Sequence, residues 1–197
     1  GLEDLAMFRA ILDSVVFYPC DAISTERLVE AMARQVGISY LRTTRMATPI
    51  VYGLEEKFAI GGSKVLRQSQ QDVVTVVGAG VTVFEALKAH DELQNKGFAI
   101  RVIDLYSVKP VDEKTLKEAA AATRALVTVE DHYPEGGLGD AVRTALADTP
   151  TPVYSLAVHE KPKSGKPQEL LDYEGISSGA IIKKVQDLLR QFKLAAG

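Results

Sequence analysis

One cysteine, Cys20, stands among the 197 residues, so no internal disulfide can form and the chain suits a reducing compartment. No apolar run approaches the roughly 20 residues that a membrane span needs, and no signal peptide opens the chain. An excess of one charge sign is lacking too: 23 Lys+Arg against 26 Asp+Glu give a formal net charge of −3, with the signs scattered. The longest basic stretch, Lys161 to Lys166, is interrupted by Pro162 and Gly165. Nothing here forms an electrostatic footprint for nucleic acid or an anionic lipid surface. Internal repeats and low-complexity segments are absent as well. Together these absences predict a soluble, cytoplasmic protein without nucleic-acid or membrane partners.

What is present is ordinary for a globular chain: 46% hydrophobic and 25% charged residues. The length predicts one large domain or one and a half. There is no initiator methionine, and Leu2 to Phe8 already reads as the interior of a helix, with Leu2, Leu5 and Met7 or Phe8 near helical spacing. This predicts that the chain is a piece of something longer.

Along the chain, Val15 to Pro19 is a short apolar run ended by proline and reads as a buried strand. A helix is expected from about Ser24 to Gln35, capped by Ser24 or Thr25 and ended by Gly37, then a strand over Ile38 to Thr43 parallel to the first. Met46 to Lys57 has no periodicity and reads as a linker; Ala59 to Gln68 reads as a strand interrupted by Gly61 and Gly62. From Val73 the pattern is regular. Strands are expected at 73–77, 99–104, 125–130 and 153–158, and helices at 82–96, 112–122, 137–147 and 178–192. Alternation at this spacing predicts an α/β fold: a three-layer α/β/α arrangement around a mainly parallel sheet (58–197), preceded by a truncated βαβ piece of a second α/β domain (1–45) and a linker (46–57).

Three motifs carry candidate chemistry, and each has a plainer reading. Gly78-Ala79-Gly80 follows a strand and precedes a helix, where glycines let a backbone approach a pyrophosphate, with Asp104 as a loose candidate for the ribose acid. The third glycine of that pattern is Val83, and Thr82 to Glu85 fits a capping box, so a tight strand-to-helix turn is the plainer reading. Glu130-Asp131-His132 stands at a strand's C-terminal end and could bind a metal or run acid–base chemistry; the plainer reading is a structured loop before the glycines 136, 137 and 139. Thr43-Thr44-Arg45 closes the strand 38–43, so Arg45 either grips a phosphate or carboxylate over the sheet edge or pairs with Glu55 or Glu56. Cys20 reads as a small buried hydrophobe and Lys163 to Pro167 as a solvated loop. No nucleophile–base–orienter trio and no metal cluster is legible.

The same residues resemble one family. Leu2 to Arg9, Val16 to Asp21, Arg42 to Arg45, Val76 to Thr82, Thr128 to Gly139 and Ser164 to Pro167 are similar, in order, to blocks in the C-terminal part of transketolases. The resemblance implies an enzyme that uses thiamine diphosphate, with Mg²⁺ or Ca²⁺, to move a two-carbon ketol unit from a ketose phosphate to an aldose phosphate as a homodimer. It implies that residues 1–45 are the tail of the pyrimidine-binding domain, 46–57 a linker and 58–197 the C-terminal domain. The cofactor's protonating glutamate, its aromatic pocket and its metal ligands then belong to an upstream part, which is the expected partner. No catalytic, cofactor or metal residue is expected in this chain, no cofactor is expected on it alone, and no activity from it alone. Arg45 matches the family's sugar-phosphate arginine; Thr44 keeps the hydroxyl of the serine many relatives have there. Two alternatives stand beside this: a sister thiamine-diphosphate enzyme (a 2-oxo acid dehydrogenase β subunit or deoxyxylulose-phosphate synthase), or a non-catalytic C-terminal subunit for assembly.

Overall fold

The computed structural model describes residues 1–194. In chain order α1 (Asp4–Arg9), β1 (Val15–Phe17), α2 (Ala22–Arg34) and β2 (Ser39–Leu41) are followed by an irregular stretch. Then come β3 (Lys64–Arg67), β4 (Val74–Gly78), α3 (Val81–Asn95), β5 (Ile100–Asp104), β6 (Ser107–Lys109), α4 (Glu113–Ala122) and β7 (Ala125–Val129). The order closes with α5 (Leu138–Ala145), β8 (Val153–Leu156), α6 (Pro167–Tyr173) and α7 (Ser178–Leu194). The strands form two sheets, ordered β2-β1-β6 and β3-β5-β4-β7-β8.

The larger sheet is mainly parallel, as the alternating pattern predicts. β4 lies between β5 and β7, parallel to both, β8 is parallel to β7, and β3 is antiparallel on the edge beside β5. Every residue of β4 and β7 is buried, the signature of a sheet covered on both faces. One face packs under α3 and α7, where Ala86, Ala89 and Leu93 meet Ile181, Val185 and Leu188. The other packs under α4 and α5 through Leu116, Ala119, Leu138 and Val142, and this core continues into Leu5, Val16 and Tyr18 of the first piece.

The small sheet departs from expectation. β1 and β2 are parallel as predicted, but β6 comes from the far part of the chain and runs antiparallel to β1. Three residues between Tyr106 and Pro110 are too few for any periodicity, so their strand is specified by the pairing with β1. The strand expected over 59–68 survives only as β3, because 59–62 form a turn closed by the Gly62 N–H to the Ala59 carbonyl. α2 starts earlier than expected. Asp21 is its N-cap, its carboxylate accepting the Ser24 N–H at 2.7 Å, while the Ser24 hydroxyl accepts the Asp21 N–H at 3.1 Å. α6 was not expected: it follows directly on the exposed basic stretch and is opened by Pro167 at its first turn. The C-terminal boundary drawn at 197 lies outside the described residues.

The stretch 46–57 is irregular yet anchored. The Asp21 carboxylate accepts the Val51 and Tyr52 N–H groups at 2.8 and 3.0 Å, and the Tyr52 hydroxyl donates to Asp104 Oδ2 at 2.6 Å. Asp104 is wholly buried at the end of β5, and burial pushes its carboxyl up to about 7. A carboxyl that keeps its proton longer folded than unfolded contributes stability in full below about pH 4 and loses that contribution as pH rises through its folded value. Glu130 is displaced in the same direction by burial. Asp104→Asn is therefore expected to shrink, without abolishing, the fall in melting temperature between about pH 5 and pH 8. Thermal melts across that range check it; an unaltered fall contradicts it.

Candidate functional site

The strand ends meet at one place. β2 runs out into Arg42–Arg45, β7 into Glu130–His132 and β4 into the glycine turn, and the ends of open α/β sheets are where ligands are held. A cleft of about 670 Å³ opens there, lined among others by Tyr18, Arg42, Thr44, Arg45, Asp131 and Lys163.

The two arginines of the run Arg42-Thr43-Thr44-Arg45 have different environments. Arg42 is consumed by the protein. Its Nη1 meets Asp131 Oδ1 at 3.3 Å, its Nη2 donates to the Asp131 and Gly1 carbonyls at 3.1 and 2.9 Å, and its Nε lies 3.4 Å from Asp4 Oδ2. Its guanidinium lies over the Tyr18 ring, 4.7 Å from the centroid, and the Tyr18 hydroxyl donates to Asp131 Oδ2 at 2.9 Å. The Tyr40 hydroxyl completes the group on Asp4 Oδ2 at 2.6 Å. The Arg42 side chain is 11% exposed. Burial opposes its charge, but Asp131, Tyr18 and Asp4 outweigh this and raise its pKa above the ordinary arginine value.

Arg45 is the opposite case. It is exposed at the cleft and is in no ion pair among the described residues. The pairing with Glu55 or Glu56 open from the sequence is not formed among the described residues, and Glu56 holds Lys64. Thr44 is half-buried and its hydroxyl donates to the Met46 carbonyl at 3.3 Å.

The other motifs turn inward. Glu130 caps α5: its two oxygens accept the Leu138 and Gly139 N–H groups at 2.6 and 3.0 Å, and burial holds its carboxyl up at about 7. Both His132 nitrogens are occupied, Nδ1 by the Tyr133 carbonyl and Nε2 by the Ala6 N–H at 3.3 Å, which fixes the Nδ1–H tautomer. Arg9 reaches the Gly136 and Gly137 carbonyls, tying α1 to the same loop. No group of three or more metal-binding side chains exists among the described residues.

The glycine turn is a packing device. Gly80 adopts φ +58°, and a Cβ there would stand 2.0 Å from the Tyr18 Cζ, so the ring fills the space a phosphate would need. The capping box expected from Thr82 and Glu85 does not form. Gly80 is the N-cap of α3, while the Thr82 hydroxyl accepts the Ala79 N–H and Glu85 accepts the Ser178 N–H at the start of α7. Asp104 faces Tyr52 in the interior and is no ribose acid. The sequence did not reveal the Arg42–Asp131 pair; its only signal was two opposite charges, each within two residues of the end of a buried or half-buried strand.

Comparisons with known proteins agree on one relationship. The family model "Transketolase, C-terminal domain" matches residues 63–181. The chain is 54% identical over 189 residues to Transketolase-like protein 2 of Mus musculus, covering 95% of this chain and 30% of that protein. It is 47% identical to the Transketolase of Homo sapiens over 191 residues, covering 96% of this chain and 31% of that one. Among solved structures it is similar to a split-gene transketolase described as an inactive β4 tetramer, with a TM-score of 0.87 and 36% identity over 95% of this chain and 60% of that one. It thus spans about a third of the length of these curated relatives.

Gly80→Ala is expected to displace Tyr18 and cost at least about 2 kcal/mol, the left-handed penalty plus the clash. Gly97→Ala, at φ +78° with nothing near its Cβ, should cost only about 1 kcal/mol. Denaturant unfolding of both variants checks the difference, and equal costs contradict the packing role.

Proposed function

Since the chain belongs to the transketolase family through its C-terminal domain, we propose that it is the C-terminal part of a thiamine-diphosphate transketolase that lends the enzyme a scaffold and one sugar-phosphate contact, Arg45. Residues 1–45 are then the tail of the pyrimidine-binding domain, 46–57 its linker and 58–197 the C-terminal domain. The observation that carries this reading is the free guanidinium of Arg45 in the cleft, beside an arginine that is fully engaged.

The residues present do not fit the cofactor. Among the described residues no cluster of carboxylates, histidines and cysteines could hold Mg²⁺ or Ca²⁺ for a diphosphate, and the glycine turn is filled by Tyr18. Carbon–carbon chemistry therefore belongs to the cofactor-binding part, the proposed partner, and to the homodimer it completes in the cytoplasm. This chain's work is remote binding. Arg45 presents parallel N–H donors to a phosphate, with the Thr44 hydroxyl as a further donor once it turns from the Met46 carbonyl, and so orients the sugar at a distance from the breaking bond. Relatives named transketolase or transketolase-like favour this over the sister enzymes. A separately encoded C-terminal subunit is a second reading, supported by the likeness to the split-gene protein.

In the complete enzyme, Arg45→Ala is expected to raise KM for a ketose phosphate by about 10- to 100-fold with kcat little changed, and to leave the same ketose without phosphate unaffected. Steady-state kinetics on the two substrates check it; equal loss on both counts against Arg45. The 197-residue chain alone should show no ketol transfer until the cofactor-binding part is added, and turnover without that part contradicts the division of labour.

A further inference from the structure

We infer that Asp131 is a positioning residue: acting through Arg42, it fixes the end of β2 so that Arg45 faces the cleft in one orientation. This rests on the reading of Arg45 as the phosphate contact. The Arg42 donors are taken up by Asp131, the Gly1 carbonyl and Asp4, so Arg42 has little left to offer an anion. Its charge faces two carboxylates, which leaves this cluster acidic. It is a clamp, three residues before Arg45 in the chain, and the cleft is lined by both arginines and by Asp131.

The clamp joins elements that the chain places far apart. Asp131 follows β7 in the larger sheet, Arg42 follows β2 in the small one, Asp4 opens α1 and Tyr18 follows β1. Each partner is itself held. Tyr18 is locked between the Arg42 cation and Gly80, whose N–H donates to the Tyr18 carbonyl at 3.2 Å. Asp131 accepts from both the Tyr18 hydroxyl and Arg42. Groups held this tightly can set the direction of a neighbouring side chain to the precision that binding a phosphate bidentately requires. Beyond Arg42 the backbone has left the strand, so this ion-pair network is what holds the segment carrying Arg45 against β7.

Electrostatics and positioning predict opposite signs for Asp131→Asn. Removal of a negative charge from the cleft, or release of Arg42 to bind the phosphate itself, strengthens anion binding. Loss of the clamp weakens it. In the complete enzyme, Asp131→Asn is expected to raise KM for a ketose phosphate about tenfold while kcat stays within about twofold and the phosphate-free ketose is unaffected. The double variant Asp131→Asn/Arg45→Ala should be no worse than Arg45→Ala alone, because both act through one contact. Tyr18→Phe, which removes only the hydroxyl bond to Asp131 and keeps the ring over Gly80, should shift KM in the same direction by about two- to threefold. It decides the matter if Asp131→Asn does not fold. A lowered KM, equal loss on both ketoses, an effect additive with Arg45→Ala, or an unchanged KM ratio in Tyr18→Phe overturns the inference. An Arg45→Ala enzyme without phosphate selectivity overturns the underlying reading instead, so the two failures are distinct.

Discussion

The Arg42–Asp131 ion pair is the interaction on which the cleft depends. It stands where the small sheet and the larger sheet expose their strand ends, with both side chains largely removed from water. Taking such charges out of water costs several kcal/mol unless every donor and acceptor finds a partner, and here the partners are Asp4, Tyr18 and two backbone carbonyls. Removal of one member leaves another buried and unpaired. The pair therefore specifies geometry more than it adds stability, and what it specifies is the meeting of β2 with β7 and the direction in which Arg45 leaves the strand.

Around this pair the fold uses carboxylates as structural pieces. Glu130 closes the start of α5, Asp21 closes α2 while anchoring the irregular stretch, and Asp104 receives Tyr52 from that stretch. Burial raises the Asp104 and Glu130 carboxyls to about 7, against the opposing pull of the hydroxyl and backbone donors they hold in an apolar interior. A run of acids and a histidine at a strand end can thus look catalytic and yet be wholly engaged in holding the chain together. Arg45 differs from all of them in being unengaged.

The larger sheet was legible because Val74, Val76 and Val77, Val102 and Ile103, and Leu126 and Val127 make continuous apolar runs between amphipathic helices. Patterns of that kind depend only on neighbours in sequence. β6 and the pairing of β1 with it were not legible, because three residues acquire strand geometry only from a partner some ninety positions away. The cap of α2 lies three or four residues before the expected Ser24 or Thr25, since all three are capable caps and Asp21 is the one whose carboxylate also anchors Val51 and Tyr52. At the site, the exposed place of Arg45 at the cleft is what its position after a strand led one to expect. Its alternative, an ion pair with Glu55 or Glu56, does not form among the described residues; Glu56 is taken by Lys64, eight residues beyond it in sequence. The partners of Tyr18 and Asp131 were not legible, because their contact exists only where the two sheets meet in the fold.

The most direct test of this account is a double-mutant cycle between Arg42 and Asp131, read as the unfolding free energy of wild type, Arg42→Met, Asp131→Asn and the double variant. An interaction that fixes how the two sheets meet predicts single losses of about 2 kcal/mol or more and a coupling energy of at least about 1.5 kcal/mol. Additive losses, with a coupling energy near zero, would show that the strand ends are held without this pair and would contradict the account.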